Sequence, residues 1–220
     1  MSRHRHKTVV PTENVPLPPP PGGALPLVRS DFERAAQELR AEVAAIRAVA
    51  TVESGGRTGF DHLKRPIIRY ENHKFQEYTS GKYNTTHPDL SNGYKSPGYK
   101  STHNKKGTAY QDQQWDLLTR AHALHPAAAV MACSWGMFQV MGFNYTIAGW
   151  TNLTDFVQAM YDSEGQQLRA FLGICRSNHL IPFLQRHQWA SFAAGYNGPS
   201  YRDNDYDGNM ARAYARYARQ

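Results

Sequence analysis

The apolar positions that follow residue 30 recur at a spacing of three or four, which is the period of an amphipathic helix. They predict one helix over residues 31–53. Ser30 and Glu33 match a capping box, in which the serine is the N-cap residue and the glutamate bonds back to its N–H. The pair Gly55-Gly56 then ends the helix, because glycine readily adopts the left-handed conformation that follows a helix.

Further helical periods predict a mainly α-helical chain, of class α+β, with a small β element. The best strand pattern is Ile67-Ile68 with Tyr70, and Thr154 is placed to cap a long helix. Residues 78–106 have no apolar period, which indicates a long irregular region. The remaining helices are predicted at residues 109–124, 126–133, 155–176, 180–186, 188–196 and 207–219.

Residues 1–28 are rich in proline and contain the stretch V-P-L-P-P-P-P-G-G. Such a sequence is typical of an extended polyproline segment and has no core-forming period. We therefore predict a flexible leader or linker over residues 1–28 and one folded domain over residues 29–220.

The composition limits the partners of the chain. Its 220 residues are 40% hydrophobic, which is enough for one domain with a core, and they carry a formal charge of +7 with a pI of about 9.4. The charge favours an anionic partner, which could be a nucleic acid, an acidic lipid or an acidic wall polymer. No apolar run is as long as a membrane span, so stable membrane insertion is not expected. The basic N-terminus lacks a following apolar stretch, which predicts synthesis in the cytoplasm without a signal peptide.

The residues with reactive side chains argue against several kinds of chemistry. Cys133 and Cys175 are too few for a disulfide framework, match no zinc spacing, and are expected as small buried groups in helices. The ten histidines form no H-E-x-x-H pattern, and no G-x-S-x-G motif or phosphate-binding glycine loop is present. No metal ligand and no cofactor is therefore predicted, although these residues alone leave open a zinc amidase assembled from His73, His87 or His103.

Carboxylates are the more informative group. Cleavage of a glycosidic bond needs one acid that is protonated near neutral pH and often a second, ionised acid that directs water. Glu53 suits the first role, because the negative end of a helix and partial burial both disfavour its ionisation. Glu71, which follows the predicted strand, is the candidate for the second role, and Asp61 is the alternative.

Three short stretches carry a family resemblance: V-E-S-G-G at 52–56, S-W-G-M-F-Q-V-M-G at 134–142 and A-G-Y-N-G-P at 194–199. In this order they resemble the lysozyme-like superfamily of goose-type lysozymes and lytic transglycosylases. The stretches between them resemble the phage and bacterial N-acetylmuramidase family, and the resemblance covers the chain from about Ser30 to its C-terminus. These stretches are R-P-I-I-R-Y-E-N-H-K-F, T-S-G-K-Y and H-P-D-L-S.

The resemblance implies a lysozyme-like fold in which a helical lobe and a small β element flank a substrate groove. It implies that Glu53 is the general acid, that Glu71 directs the attacking water and that Thr79 helps to position that water. Where the family segment reads Phe-Glu-Arg-His, this chain has Tyr70-Glu71-Asn72-His73, so the arginine beside the acid is missing. The residues implied to line the groove or orient the acid are Ser134, Gln139, Tyr196 and Asn197.

Three tyrosines of the irregular region, Tyr83, Tyr94 and Tyr99, allow two interpretations. Their rings could stack on the sugar rings of a substrate. They could equally pack the irregular region against the body of the domain.

The resemblance implies a peptidoglycan hydrolase: a muramidase that cleaves the β-1,4 bond between N-acetylmuramic acid and N-acetylglucosamine, with residues 29–220 as its catalytic domain. A lytic transglycosylase, which leaves an anhydro-sugar end, is the nearest alternative, and a non-catalytic module that binds wall polymer or nucleic acid is the alternative of another class. The expected partner is the peptidoglycan glycan strand, not nucleic acid. The protein would reach the cell wall or periplasm through a phage holin or a secretion system, and an antibacterial effector or toxin would imply an immunity protein.

Overall fold

A computed structural model describes residues 10–12, 14–18, 24–94, 96, 97, 100 and 103–220. Most of these residues are helical. The strands of these residues are β1 (Ile68–Tyr70), β2 (Cys133–Trp135) and β3 (Val140–Met141), and no described helix is long and apolar enough to cross a membrane. The α-helices whose bounds lie within the described residues are α1 (Arg29–Leu39), α2 (Val43–Ser54), α3 (Asn72–Tyr78), α4 (Gly107–Leu124), α5 (Pro126–Met131), α6 (Leu153–Asp162), α7 (Glu164–Ser177), α8 (Ile181–Gln185), α9 (Trp189–Asn197) and α10 (Tyr206–Tyr217).

The helix predicted over residues 31–53 is two helices. Arg40 separates α1 from α2 by adopting a left-handed conformation with φ of 49°, and its N–H caps the end of α1. α1 begins after Val28, whose N–H donates to the carboxylate of Asp31 at 2.9 Å, so the predicted cap at Ser30 is wrong. The break allows α1 to pack against α2.

The helix predicted over residues 155–176 is also two helices, α6 and α7. Ser163 is extended between them, and its hydroxyl accepts a hydrogen bond from the N–H three residues later, which starts α7. Asn152, not the predicted Thr154, caps α6 by accepting a bond from the N–H of Asp155 at 2.8 Å. An N-cap residue directly precedes the helix, so that its side chain can accept a hydrogen bond from a free N–H of the first turn. Thr154 already lies inside that turn.

The sheet is antiparallel with the strand order β1-β2-β3. β1 lies where the sequence predicts a strand, whereas β2 replaces the predicted end of a helix, so Cys133 begins a strand. All three side chains of β2 are buried, and a short run without alternation fits a buried strand as well as a helix. Pairing of Trp135 with Ile68 settles the choice in favour of the strand. Cys133 and Cys175 are buried free thiols, as expected.

The core fixes the position of α2. Ala45, Ile46, Ala48 and Val49 are fully buried, and the helix packs along α10. Because one helix is buried at so many positions, its last turn has a fixed direction in the fold.

The described residues of the leader pack on the domain. Val15 is fully buried, and its carbonyl oxygen accepts a hydrogen bond from a histidine of α4 at 2.6 Å. Leu25 pairs with the residue before α7, and the N–H of Leu27 donates to the first side chain of that helix. These described residues of the leader therefore contact the domain, and the flexible leader over residues 1–28 and the domain boundary near residue 28 stay predictions.

The irregular region contributes to the core as well. Tyr83 is buried, stacks on Phe75 with ring centroids 5.7 Å apart, and donates its hydroxyl to the carbonyl of Leu124. This confirms the packing interpretation for Tyr83. Tyr94 is exposed and contacts the ring of His73, and Tyr99 lies outside the described residues.

Candidate active site

Glu53 lies in the last turn of α2. The helix ends one residue later because Gly55 is left-handed, with φ of 60°, and its N–H bonds to the carbonyls of Thr51 and Val52. Gly56 continues the turn with φ of 69°. The two glycines therefore place the acid at the end of a well-packed helix, as the sequence predicts.

The carboxyl group of Glu53 is held by a residue 144 positions away. The side-chain amide of Asn197 donates to Glu53 Oε1 at 2.9 Å. Asn197 is the last residue of α9, which ends at Gly198. The bond orients the carboxyl group and leaves Oε2, which bonds to no described residue, for a substrate.

Burial raises the pKa of Glu53 to about 7, and the hydrogen bond from Asn197 opposes part of that rise. An ordinary glutamate has a pKa near 4.5 and is ionised at neutral pH. Glu53 is half protonated at pH 7, so it can donate a proton there. The predicted direction is correct, and desolvation is its largest cause.

Two neutral groups, Tyr196 and Cys175, lie near this acid. Tyr196 packs edge-on against Phe171 and parallel to Phe192, with ring centroids 5.0 and 6.3 Å apart. Burial, with the nearby Cys175 and Glu53, raises the pKa of Tyr196 well above its ordinary value. Burial also raises the pKa of the Cys175 thiol. Neither neighbour carries a charge at neutral pH, so neither favours ionisation of the acid.

Glu71 occupies the N-cap position of α3, directly after β1. Its Oε1 pairs with Arg69 Nε at 2.9 Å, and its Oε2 lies 3.5 Å from His73 Nδ1. Burial lowers the pKa of His73, while the charge of Glu71 opposes this change. Asn72, where the family segment has arginine, is fully buried and donates to the carbonyl of Asp89. The family arginine follows the acid in the chain, whereas Arg69 precedes Glu71 by two residues. Arg69 therefore supplies the cation that pairs with this acid.

Asp61, the alternative second acid, is occupied by its own loop. Its Oδ1 accepts bonds from the N–H groups of Leu63 and Arg65 at 2.9 Å, and its Oδ2 accepts one from Arg65 Nε at 2.8 Å. The side chain is only 1% exposed, compared with 13% for Glu71. A carboxylate without access to water cannot direct it, which favours Glu71.

Thr79 ends α3, at the opposite end from Glu71. Eight residues separate them, or about 12 Å along a helix axis. The hydroxyl of Thr79 donates to the carbonyl of Phe75 at 2.7 Å, and the side chain is nearly buried. A role for Thr79 with the water stays a prediction.

Ser134 and Gln139 close the turn between β2 and β3. The hydroxyl of Ser134 donates to Gln139 Oε1 at 2.9 Å, and Gln139 Nε2 donates to the carbonyl of Gly136 at 2.9 Å. Gln139 is left-handed, with φ of 51°, a strained conformation that these bonds stabilise. Gln139 also lines a cavity of about 310 Å³ between the hairpin, β1 and the segment that follows Glu53.

Sequence reasoning missed the carboxylate that holds this segment. Glu164 is only 6% exposed, and its Oε1 accepts bonds from Thr58 Oγ1 at 2.8 Å and the N–H of Gly59 at 2.7 Å. Its Oε2 accepts a hydrogen bond from the N–H of Leu27 at 2.9 Å. One buried carboxylate thus joins the leader to the segment that follows the acid.

Gln167, one turn further along α7, adds a second link. Its Oε1 accepts a bond from the N–H of Met137 at 2.8 Å, and its Nε2 donates to the carbonyl of Gly59. A Cβ at Gly59 or Gly136 would overlap this side chain, so both glycines permit the close approach. The signal in the sequence was a polar pair on the buried face of a helix, because Glu164 and Gln167 share the side of Leu168 and Phe171.

The histidines considered for zinc do not assemble. Among the residues that the structure describes, no three His, Cys, Asp or Glu side chains cluster as metal ligands do. His103 Nε2 bonds to the carbonyl of Tyr70 at 3.0 Å, and His87 Nδ1 contacts the hydroxyl of Thr86.

Comparison with known proteins identifies the family and agrees with the fold. A family model for N-acetylmuramidases matches residues 42–218. The crystal structure of the Burkholderia AP3 phage endolysin is 36% identical and superposes with a TM-score of 0.76, covering 88% of this chain and 72% of that one, which confirms the predicted lysozyme-like fold. Among curated proteins no significant match is found. The chain therefore belongs to the N-acetylmuramidase family and is a peptidoglycan hydrolase of the glycosidase type.

Proposed function

We propose that this protein is a lysozyme-type muramidase that hydrolyses the β-1,4 bond between N-acetylmuramic acid and N-acetylglucosamine. The observation that carries the proposal is Glu53, which is fixed by Asn197 at 2.9 Å and whose pKa burial raises to about 7. A rigid acid that is protonated at neutral pH is what departure of a sugar leaving group requires.

In this proposal Glu53 donates its proton to the glycosidic oxygen while the bond from C1 to that oxygen breaks. The sugar ring passes through a state that resembles an oxocarbenium ion. Glu71 accepts a proton from the water that attacks C1 on the opposite face, so the water oxygen forms the new bond to C1. Glu53 is then ionised and Glu71 protonated, and exchange of one proton with solvent restores both groups.

Arg69 supports the role of Glu71. The arginine of the family segment is absent at Asn72, but the guanidinium of Arg69 lies 2.9 Å from the Glu71 carboxylate and holds it in position by a charge-assisted hydrogen bond. For this role the carboxyl groups of Glu53 and Glu71 should lie about 6.5–9.5 Å apart, and the product should have the inverted anomeric configuration. NMR of the first product formed measures that configuration. Retention of configuration would assign Glu71 a different role.

Digestion of purified peptidoglycan tests the reaction class. After reduction with borohydride, mass spectrometry should find muramitol ends, which only hydrolysis produces. Anhydromuramic ends would instead identify a lytic transglycosylase and refute the proposal. Glu53→Gln should release fragments at least about 100-fold more slowly, and Glu77→Gln, which changes an exposed glutamate of α3, is the matched control. Binding of the wall without any cleavage by the unaltered protein would make it a binding module.

For delivery we propose release by a phage holin, because the structural match is a phage endolysin. Expression in a bacterial cytoplasm should then cause lysis only when a holin is expressed as well. Injection as an antibacterial effector is the other route, and it predicts toxicity in the periplasm that a dedicated immunity protein relieves.

A further inference from the structure

Arg57 lies four residues after Glu53, beyond the glycine turn. Its N–H and its Nε both donate to the carbonyl of Ser54, at 3.2 and 3.0 Å. A Cβ built on Gly55 would lie 3.9 Å from the guanidinium carbon. The guanidinium group is therefore folded back over the turn that ends α2, on the same short segment as the acid.

The same side chain lines the 310 Å³ cavity that Gln139 borders. Arg69 also lines this cavity, but it pairs with Glu71. Arg57 is exposed, and no carboxylate of the described residues lies within ion-pair distance of it. Its terminal nitrogens therefore offer donors of fixed geometry and an unneutralised charge to whatever fills the cavity.

Two amide side chains complete the walls of the cavity. Gln111 bonds to both backbone groups of Ile68, at 3.0 and 3.1 Å, and Gln139 is fixed by the hairpin turn. Fixed amides, and a cation that has no ion-pair partner among the described residues and follows the general acid by four residues in the chain, suit an N-acetylated sugar that carries a carboxylate. Along a peptidoglycan strand this distinguishes the muramoyl residue, because its lactyl arm bears a carboxyl function that glucosamine lacks.

We propose that Arg57 binds the carboxylate on the lactyl arm of the muramoyl residue and so selects which of the two alternating glycosidic bonds lies at Glu53. This inference rests on the proposed muramidase function. The carboxylate is the lactyl group itself in a glycan without stem peptides, or the first acidic residue of the stem where a peptide is attached. Either source has the same chemistry, a carboxylate that accepts charge-assisted hydrogen bonds from a guanidinium group.

A purely structural role for Arg57 is the competing explanation. A cation at a helix C-terminus stabilises the helix dipole, and Arg57 Nε bonds to the last turn of α2. That role would affect folding and all substrates alike. Recognition of a carboxylate would affect only substrates that carry one.

The test compares Arg57→Gln with the unaltered enzyme on three probes: stem-bearing glycan, stem-free glycan, and stem-free glycan whose lactyl carboxylates are converted to methylamides. We expect kcat/KM of Arg57→Gln to fall about 10- to 100-fold on a carboxylate-bearing probe, the range for a hydrogen bond to a charged group. On the neutral methylamide glycan the two enzymes should cleave at equal rates. Arg57→Lys should recover part of the loss, because it restores the charge without the planar fork.

The matched control is Arg219→Gln, which removes one positive charge from an exposed residue beyond α10 and should cleave every probe like the unaltered enzyme. Loss confined to the stem-bearing probe identifies the stem acid as the ligand, and loss on the stem-free carboxylate probe identifies the lactyl group. Equal kcat/KM of Arg57→Gln and the unaltered enzyme on both carboxylate probes, or an equal loss on all three probes, would overturn the inference alone. If the unaltered enzyme cleaves no probe, the proposed function fails with it.

Discussion

Replacing Glu53 by glutamine tests two properties of the acid separately: its contribution to the catalytic rate and the effect of its burial on the free energy of unfolding. Glutamine keeps the size of the side chain and can still accept the hydrogen bond from Asn197, but it has no proton to transfer. General acid catalysis contributes roughly 10²- to 10⁴-fold to a rate. Clearing of peptidoglycan suspensions by Glu53→Gln should therefore fall by at least about 100-fold.

The same substitution should stabilise the protein at high pH. Burial raises the pKa of Glu53 from 4.5 to about 7, so between these values the folded protein binds more protons than the unfolded chain. Stability from this group is fully present below pH 4.5 and is lost as the pH rises through 7. At about 1.4 kcal/mol for each pKa unit, the loss by pH 8 reaches about 3 kcal/mol. Partial contact of the carboxyl group with solvent makes this an upper value.

Urea denaturation near pH 4.5 and at pH 8 measures this contribution. The free energies of unfolding of Glu53→Gln and the unaltered protein should differ by less than about 1 kcal/mol at the lower pH, and the variant should be more stable at pH 8. Glu38→Gln, at a glutamate that is 60% exposed, is the matched control variant. An equal difference at both pH values would mean that the pKa of Glu53 is not raised. If Glu53→Gln melts normally and still clears walls near the rate of the unaltered protein, Glu53 is not the general acid.

Three further changes test the surroundings of the acid. Asn197→Ala removes a hydrogen bond that lowers the pKa of Glu53, so the alkaline limb of the pH–rate profile should move to higher pH. Because the carboxyl group also loses its orientation, kcat should fall up to about 100-fold. A shift of the alkaline limb to lower pH would contradict this prediction. Glu164→Gln replaces one acceptor oxygen by an amide NH2 group, so at least the N–H of Leu27 or the two donors Thr58 and Gly59 lose their acceptor. This should cost roughly 1–3 kcal/mol in urea denaturation, and unchanged stability would refute the role of Glu164 as a link. Gly59→Ala should lower the melting temperature more than Gly93→Ala, because a Cβ at Gly59 would overlap the side chain of Gln167 whereas one at Gly93 would meet nothing within 4 Å. The reverse order would be inconsistent with this packing.

Local signals determined much of the fold and the place of the acid. Gly55 ends α2 and Pro126 begins α5 as the sequence predicts, because a left-handed cap and a first-turn proline depend on residues within one helical turn. The same locality makes Glu53 recognisable at a helix end. The family stretches then identify the class of enzyme.

Other features depend on residues far apart in the chain. The helical period runs through Arg40, and only the packing of α1 on α2 requires the break there. β2 is as apolar as a buried helix until its pairing with β1 selects the strand. At β2 a neighbour in space, not in sequence, satisfies the backbone.

The chemistry of the site has the same origin. Asn197 reaches Glu53 from 144 residues away, and Glu164 joins the leader to the segment after the acid. The sequence by itself determined that an acid ends a helix. Only the tertiary structure decided that burial raises the pKa of this acid to about 7, because desolvation depends on the atoms that fold around it and not on the residues beside it in the chain.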